Sequence, residues 1–503
     1  MKKFICVHGH FYQPPRENPW TGEVDAEPSA APDHDWNERI SKECYEANTH
    51  APVLNPKGEA TLFVNNYENI SFDIGPTLLS WMRRKAPTAY RAILEADRKS
   101  IAKFGGHGNA MAQIYNHIIM PLAKKRDKIT QIVWGIADFE FHYGRKPEGM
   151  WLSETAVDRE TLKLMAEHGI AYTVLAPHQA ARVRRIGFAR RWEAMHHEAV
   201  NTKHAYRVLL EGGRQFHVFF YDAFVARAIA FQGLLNNGDN LIHRLMSSFG
   251  HVEASQLVST ATDGESFGHH HHFGEMAIAY ALNKIGEQKA VQLTNYAEFL
   301  EKVGSKWEVD VHENSSWSCA HGVERWRSDC GCRMNHAPGW NQKWRAVLRE
   351  AFDALQGSVD RVFESQLGGR LKDPWQARND YIQILLDPSE KQKKRFLSRH
   401  GRRALSASDE KAVWDLLEAE KFSLFMYTSC GWFFDDISGI EPVQVMKFAL
   451  RAMELVRPYH DKDLEADFVK KIAQAKSNVP ENGTGADVFE RMVKPAAGVL
   501  HGV

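Results

Sequence analysis

Short runs of continuous apolar residues recur through the first 265 residues of the chain. They lack the alternation of half-exposed strands and fit parallel strands that are buried on both faces. Helix-like segments separate the runs, so the pattern predicts βαβ units wound into a parallel sheet or barrel. The candidate strands cover residues 4–7, 61–64, 101–104, 149–152, 172–175, 216–221 and 257–261.

Helical spacing of apolar residues predicts helices over 86–102, 122–143, 156–168 and 274–286. Beyond about residue 340 the strand signals vanish, and the spacing predicts helices over 340–367, 377–386, 408–426, 442–456 and 464–477. We therefore expect an α/β barrel over residues 1–305, with residues 14–40 as a lid loop. A helical domain over 306–480 is expected to complete the cleft, and residues 481–503 are expected to fray.

Composition excludes several classes of function. Lys+Arg and Asp+Glu balance at 63 each, so no global field favours nucleic acid or an anionic membrane as a partner. No apolar run reaches the length of a membrane span, and the apolar run at the N-terminus is too short for a signal peptide. Six cysteines in 503 residues do not make a disulfide scaffold. No phosphate-binding loop is present, and we expect a cytoplasmic protein.

Polar side chains follow the predicted strands, and chemistry in a parallel barrel lies where strands end. These side chains are His8, His10, Asn65, His107, Glu154, His178, Asp222, Asp263 and Glu265. Glu154 and Asp263 each have an ordinary explanation, as a carboxylate at a helix N-terminus or as an N-cap. Together they also form the pair that glycoside cleavage needs, one attacking and one protonating, about 5–5.5 Å apart in a retaining enzyme.

Three further features leave alternatives open. The run His269–His272 lies inside the chain, and one or two of its members facing a cleft is favoured over a metal site. Cys319, Cys330 and Cys332 cluster around His321 and could hold zinc, but their spacing is not that of a standard Cys-x-x-Cys pair, so free or substrate-facing thiols are favoured. The aromatic and acidic turn at 431–436 is either a packed helix–helix connection or one wall of a cleft.

Several stretches resemble the motifs of the family 57 glycoside hydrolases, in the order expected for that family. They are residues 7–14 (Val-His-Gly-His-Phe-Tyr-Gln-Pro), 106–109 (Gly-His-Gly-Asn), 149–154 (Gly-Met-Trp-Leu-Ser-Glu), 262–268 (Thr-Asp-Gly-Glu-Ser-Phe-Gly) and a Trp-bearing stretch over 317–326. The chain departs from the family where Phe11 and Tyr12 separate His10 from Gln13, where the second motif lacks a Glu, and in its cysteine segment. These departures bear on the sugar rather than on the mechanism.

The resemblance implies an incomplete (β/α)7 barrel with a C-terminal helical domain, and a retaining glycosidase or transglycosidase for α-linked glycans. It implies Glu154 as the nucleophile, Asp263 as the general acid/base, and no obligatory metal or cofactor. We expect a nearby carboxylate, Glu265, to raise the pKa of Asp263. The residues expected to bind the oligo- or polysaccharide are His8, His10, Gln13, Trp36, Asn65, His107, Trp151, His178, Asp222, Glu265, His269, Trp317, His321, Trp432 and Asp435.

Two rival hypotheses stand beside this one. A metal-dependent carbohydrate deacetylase or a zinc mannosidase would use His8, His10, Asp263 and the His269–His272 run as ligands. A non-catalytic glycan-binding protein would use the same aromatic side chains without cleaving anything. The sugar, the linkage, the choice between hydrolysis and transfer, and the oligomeric state are not predicted.

Overall fold

The computed structural model describes residues 2–187, 191–251 and 254–498. These residues form two compact units. The first contains the residues up to Gln13, Ala26–Gln113 and Phe139–Trp317. The second contains Pro14–Asp25, Ile114–Asp138 and the residues from Ser318 onward, so part of the predicted lid loop belongs to the second unit.

All strands in the described ranges belong to the first unit. They are β1 Lys3–Phe11, β2 Ala51–Leu54, β3 Ala60–Val64, β4 Ser71–Ile74, β5 Ala110–Gln113, β6 Met150–Trp151, β7 Tyr172–Leu175, β8 Ala180–Arg185, β9 Glu193–Ala194, β10 Ala205–Leu209, β11 Gln215–Phe220, β12 Gln256–Asp263, β13 Val291–Leu293 and β14 Ser305–Val311.

Seven of these strands form an incomplete parallel barrel, which confirms the predicted fold class. Five lie side by side in the order β12-β1-β4-β5-β6. A parallel bridge between Gly149 and Tyr172 continues the order to β7, and β7 pairs in parallel with β11. The Asp222 amide donates to the Ser259 carbonyl at 2.7 Å, which links the end of β11 back to β12. All seven carboxyl ends therefore point to one edge.

The barrel strands are apolar without alternation because both of their faces are covered. On β1 every residue after Lys3 is buried, and Phe4 packs edge-on against Phe299 with ring centroids 5.3 Å apart. Leu257 on the neighbouring β12 belongs to the same core cluster. Each fully buried side chain of this size contributes about 1.5–3 kcal/mol to folding.

Most of the other strands belong to a second sheet or to a separate pair. The second sheet runs β7-β11-β10-β14-β8-β9, and its β10–β11, β14–β8 and β8–β9 pairs are antiparallel. β2 and β3 form a separate antiparallel pair. The prediction of a barrel strand over 61–64 is therefore wrong, because β3 is mostly exposed and pairs only with β2 among the described strands.

A second predicted strand, over 101–104, is also wrong. Helix α4 (Pro87–Lys103) runs through it, because Ile101 continues the helical spacing that already buries Ile93 and Ala96. The barrel strands at these two places are β4 and β5. β4 alternates polar and apolar residues, and β5 carries two alanines, so neither gives the continuous apolar signal.

The helices in the described ranges are α1 Trp36–Ile40, α2 Glu46–Thr49, α3 Pro76–Lys85, α4 Pro87–Lys103, α5 Lys125–Tyr143, α6 Arg159–Glu167, α7 Ala223–Phe231, α8 Gly238–Ser247, α9 Gly274–Gly286, α10 Tyr296–Val303, α11 Trp344–Leu367, α12 Pro374–Asp380, α13 Ile382–Leu386, α14 Glu390–His400, α15 Ala407–Phe425, α16 Cys430–Phe433, α17 Ile440–Val456, α18 Leu464–Ile472, α19 Gly485–Val488 and α20 Lys494–Gly498. None of them is long and apolar enough to cross a membrane.

The second unit contains most of the predicted helical region, and its core lies between α11, α15 and α17. Arg378 is buried there between the carboxylates of Glu420 and Asp127, each at 2.8 Å, so these charges are paired. Helix α14 is not predicted from the sequence, because its residues are mostly polar and it buries only Phe396 and His400. Short helices also occupy residues 480–498, with Val488 and Phe489 buried, while residues 499–503 of the predicted frayed tail lie outside the described residues.

Candidate active site

Two histidines of β1 share one carboxylate at the carboxyl edge of the barrel. His8 Nε2 and His10 Nδ1 lie 2.9 and 2.8 Å from the two oxygens of Asp73 on β4, and all three side chains are buried. The strand register places His10 beside Asp73 on one side and beside Asp263 of β12 on the other. Asp73 thus fixes the orientation of both rings.

The two rings differ in charge. Burial lowers the pKa of His8 although Asp73 opposes this, so His8 is neutral at pH 7. Burial also disfavours the cation of His10, but Asp73, Asp263 and Glu265 outweigh it and raise the pKa of His10 to about 9. The site therefore contains one buried cation next to Asp263.

The end of β12 carries two carboxylates separated by Gly264. A Cβ at Gly264 would approach the Phe11 ring to 2.3 Å, so only glycine lets this turn pack against β1. Glu265 is buried, and its Oε1 accepts from the Tyr45 hydroxyl at 2.7 Å and from the Tyr12 amide at 3.0 Å. Asp263 is exposed and is thus open to a reactant.

Both carboxyl groups have raised pKa values. Desolvation by the surrounding protein raises the pKa of Asp263; His10 opposes the shift and Asp73 adds to it. Burial and the charge of Asp263 raise the pKa of Glu265 to about 7. The prediction that Glu265 raises the pKa of Asp263 is therefore wrong: the charges that act on Asp263 are those of His10 and Asp73, and it is Asp263 that raises the pKa of Glu265. An accessible carboxyl whose pKa is raised above its ordinary value is suited to general acid catalysis.

Glu154 lies on a strained turn just after β6. Its φ is 57° and that of Thr155 is 50°, both in the left-handed region. A β-branched residue there is a true outlier, and each such residue costs about 1–3 kcal/mol. Trp317 holds the turn: its amide donates to the Glu154 carbonyl, and its Nε1 donates to Glu154 Oε2, both at 3.0 Å. The Glu154 side chain is half-buried.

Gln179 clamps the same turn from the end of β7. Its Nε2 donates to the Thr155 carbonyl and its Oε1 accepts from the Thr155 hydroxyl, both at 2.8 Å. Its Oε1 also accepts from the Ala176 amide, and the side chain is fully buried. Such a network compensates the strain that aims Glu154.

Two tryptophans connect Glu154 to the histidines. Trp151 is fully buried and stacks on His8 and His10, with ring centroids 4.8 and 5.0 Å apart. Trp317 meets Trp151 edge-on at 5.3 Å and His10 at 6.2 Å, and it is half-buried. A series of neighbouring residues therefore leads from Glu154 through Trp317 and His10 to Asp263. Since Trp151 has no exposed surface, it supports the site rather than stacking on a sugar.

Two predicted substrate-binding residues lie elsewhere. Asn65 follows β3 rather than a barrel strand; its amide donates to the Ala92 carbonyl and its Oδ1 accepts from the Tyr67 amide. His107 precedes β5 and so lies at the amino edge of the barrel, where its ring nitrogens lie 2.8 and 3.1 Å from Glu148 and Glu301. Both placements follow from the structure of residues 61–64 and 101–104, which do not form barrel strands.

Other predicted residues of the first unit keep local roles. Asp222 caps α7 by accepting from the Phe224 amide. Trp36 donates to the Ser29 hydroxyl, and His269 pairs with Glu43. Two more lie after barrel strands: Gln13 donates to the Tyr12 carbonyl, and the half-buried His178 contacts the Ser316 carbonyl at 2.9 Å.

Three predicted residues belong to the second unit. Trp432 is fully buried and donates to the Arg345 carbonyl, so the prediction of a stacking platform is wrong. Asp435 is buried and accepts from the backbone amides of Met334 and Asn335. His321 is exposed and lies 3.5 Å from the Cys332 sulfur. The composition of this turn, aromatic and acidic, does not predict whether its side chains are buried.

Sequence reasoning missed two residues of the carboxyl edge. Asp73 escaped notice because the sequence of β4, Ser-Phe-Asp-Ile, gives no buried-strand signal. Gln113, the last residue of β5, is buried, and neither of its amide atoms has a hydrogen-bond partner within the described residues. The sequence signal that could have found them is a polar residue near the carboxyl end of each barrel strand, the position that Asp263 occupies on β12.

A metal-dependent enzyme would need His8, His10, Asp263 and the His269–His272 run as ligands, and these residues do not form one metal-binding cluster. His271 contacts the Ala230 carbonyl at 3.1 Å, while His269 pairs with Glu43. Across residues 2–187, 191–251 and 254–498, one group of His, Cys, Asp and Glu side chains has metal-binding geometry, and it contains neither His8, His10 nor Asp263. That group is Cys319, His321, Cys330 and Cys332, in the second unit.

Comparison with protein families gives two matches. A model described as glycosyl hydrolase family 57 matches residues 30–312. A model described as a domain of unknown function, DUF3536, matches residues 340–503. Comparison with curated protein sequences found no significant match.

Solved structures share the fold. An exo-type maltose-forming amylase from Pyrococcus sp. ST04 superimposes with a TM-score of 0.69 at 16% identity, over 97% of this chain and 88% of that chain. A branching enzyme from Thermococcus kodakaraensis, solved with glucose, gives 0.54 at 14% identity, over 99% and 96%. A 4-α-glucanotransferase from Thermococcus litoralis gives 0.52 at 16%, over 90% of this chain and 60% of that chain, so this chain spans about three fifths of its length.

Proposed function

The chain belongs to glycosyl hydrolase family 57, and from this premise we propose that it cleaves or transfers α-linked glucan chains with retention of configuration. One observation carries the proposal: an accessible carboxyl with a raised pKa, Asp263, shares an edge of the barrel with Glu154, whose carboxylate is held by an indole. Double displacement uses two such carboxyl groups, one as nucleophile and one as general acid, and a raised pKa suits Asp263 to the second role.

In the first step, Glu154 attacks the anomeric carbon while the glycosidic C–O bond breaks. Asp263 passes its proton to the departing oxygen, which leaves a glycosyl-enzyme ester and an Asp263 carboxylate. In the second step, Asp263 removes a proton from water or from an acceptor hydroxyl. That oxygen displaces Glu154 and restores both carboxyl groups to their initial states.

The neighbours of the pair support these roles. Trp317 Nε1 donates a hydrogen bond to Glu154 Oε2 and so orients the carboxylate of the proposed nucleophile. The cation of His10 lies beside Asp263 and stabilises the carboxylate that forms when Asp263 gives up its proton. Gln179 keeps the nucleophile turn from relaxing to an ordinary backbone conformation.

The α-glucan substrate is proposed from two sources. The structures with the same fold include a maltose-forming amylase and a branching enzyme by their descriptions. In this chain, the half-buried Trp317 offers an indole face next to the nucleophile, and His178 and Gln113 lie at the carboxyl edge as hydrogen-bonding groups. The cytoplasmic location expected from the sequence stays a prediction.

A panel of defined glucans, with product stereochemistry followed by NMR, tests the proposal. We expect release or transfer of α-configured product, and loss of that product in Glu154→Gln. Glu148→Gln, a carboxylate change at the amino edge, is the matched control and should leave turnover unchanged. An inverted product, or unchanged turnover in Glu154→Gln, contradicts the mechanism. Binding without any product would favour a glycan-binding protein.

A further inference from the structure

We propose that Cys319, His321, Cys330 and Cys332 form a structural zinc site in the second unit. Their ligand atoms all lie within 4.8 Å of one another. Three thiols and one imidazole are the donor set of closed, tetrahedral Zn²⁺ sites, with every position filled by protein. This site is independent of the proposed glycosidase function.

Three of the six distances among the four ligand atoms match those of a tetrahedral zinc site. With Zn–S near 2.3 Å and Zn–N near 2.0–2.1 Å, sulfur atoms should be about 3.8 Å apart, and sulfur and nitrogen about 3.6 Å apart. The Cys319 sulfur lies 3.9 Å from that of Cys330 and 3.8 Å from that of Cys332. The Cys332 sulfur lies 3.5 Å from His321 Nδ1. A disulfide would instead need one sulfur pair near 2.0 Å and would leave the third thiol out.

Local backbone structure explains how an irregular spacing produces this cluster. A turn in which the Gly322 amide donates to the Cys319 carbonyl at 3.1 Å brings Cys319 and His321 together. Gly331, with φ of 82°, sits between Cys330 and Cys332 in the left-handed region that only glycine adopts freely. Two residues in Cys-x-Cys register can thereby face the same point.

Groups around the cluster hold it in place. Arg345 is fully buried, and its Nη1 donates to the Cys332 carbonyl at 2.8 Å. Asp435 accepts from the amides of Met334 and Asn335, just beyond the last cysteine. Arg325 is buried beside the same segment. Three thiolates and one Zn²⁺ carry a net negative charge, which these two guanidinium groups offset.

Metal analysis of the full-length protein, purified without a histidine tag under reducing conditions, tests the site. We expect about one zinc ion per chain. Replacement by Co²⁺ should give thiolate-to-cobalt charge-transfer bands and tetrahedral ligand-field bands. Cys332→Ser should lose at least about ten-fold in zinc content, while Cys430→Ser, a cysteine of the same unit outside the cluster, should keep it.

A second variant keeps the test decisive if Cys332→Ser does not fold. His321 is exposed, so His321→Cys should fold, bind one Co²⁺ and show stronger charge-transfer bands from a fourth thiolate. Three results would overturn the proposal: no stoichiometric metal after zinc addition to reduced protein, a Cys319–Cys330 or Cys319–Cys332 disulfide in freshly purified protein, or a cobalt spectrum unchanged by His321→Cys. None of these readouts depends on glycosidase activity.

Discussion

The barrel carries a histidine between carboxylates at each of its two edges, and the two arrangements differ in their surroundings. At the carboxyl edge, His10 is buried against Asp73 and lies beside Asp263. At the amino edge, His107 bridges Glu148 and Glu301, whose side chains are 36% and 65% exposed. Surface pairs of the second kind contribute little because solvent screens them. Residue type alone therefore does not identify the site; burial and strand direction do.

The largest effect should come from Asp263→Asn, which removes the proposed proton donor at the carboxyl edge. We expect kcat to fall about a thousand-fold or more, because positioned general acids contribute up to about 10⁴. Glu301→Gln, the equivalent change at the amino edge, should stay within about two-fold. Steady-state kinetics on the best glucan measure both. Similar losses in the two variants would break the distinction between the edges.

Asp73→Asn should have the next largest effect, about a hundred-fold in kcat. Without the Asp73 charge, burial lowers the pKa of His10 from about 9, and the cation beside Asp263 is lost at neutral pH. NMR titration of His10 should place its pKa below 7 in the variant, against about 9 in the wild type. A neutral His10 at pH 7 with kcat retained would contradict its electrostatic role, whereas Glu148→Gln should leave the His10 titration unchanged.

Glu265→Gln tests burial through the pH dependence of stability. The folded-state pKa of Glu265, about 7, exceeds its ordinary value, so the folded protein binds more protons than the unfolded chain. The wild type therefore loses stability relative to the variant as the pH rises from about 4.5, the ordinary pKa of a glutamate, to about 7. Denaturant unfolding at pH 5 and pH 8 should show the variant gaining about 2 kcal/mol relative to wild type. A pH-independent difference would argue against a buried, protonated Glu265.

The smallest effect belongs to His107→Gln. Burial disfavours its cation, but Glu301 and Glu148 raise the pKa of His107 above its ordinary value. The pair contributes stability below the ordinary histidine pKa, and this contribution is lost as pH rises through the raised value. We expect a cost of under about 1 kcal/mol at pH 6, less at pH 9, and unchanged kcat. A large loss of activity would place the amino edge in the reaction.

The sequence predicted the barrel, and it predicted that Glu154 and Asp263 lie at the carboxyl ends of strands, because both strands have a clear buried signal. It did not predict Asp73, because β4 alternates polar and apolar residues. His107 was misplaced because an apolar stretch that ends a helix resembles a short strand. In each case the deciding information was which neighbour the segment pairs with, and that is set by tertiary structure.

In the second unit, too, the sequence predicts the helices but not the contacts between them. Its helices follow from apolar spacing, yet the burial of Trp432 depends on packing between helices far apart in sequence. The Cys319–Cys332 segment has an irregular spacing, so its convergence depends on two turns at Gly322 and Gly331. Neither turn is specified by the distance between cysteines along the chain.

Covalent labelling tests the central claim most directly. A 5-fluoro α-glucosyl fluoride should form a slowly hydrolysed glycosyl-enzyme, and peptide mass spectrometry should find one sugar ester, on Glu154. The label should accumulate further in Asp263→Ala, where the proposed general base for hydrolysis is missing. A sugar ester on any other residue, or none while the enzyme turns over a glucan with inverted product, would contradict the account.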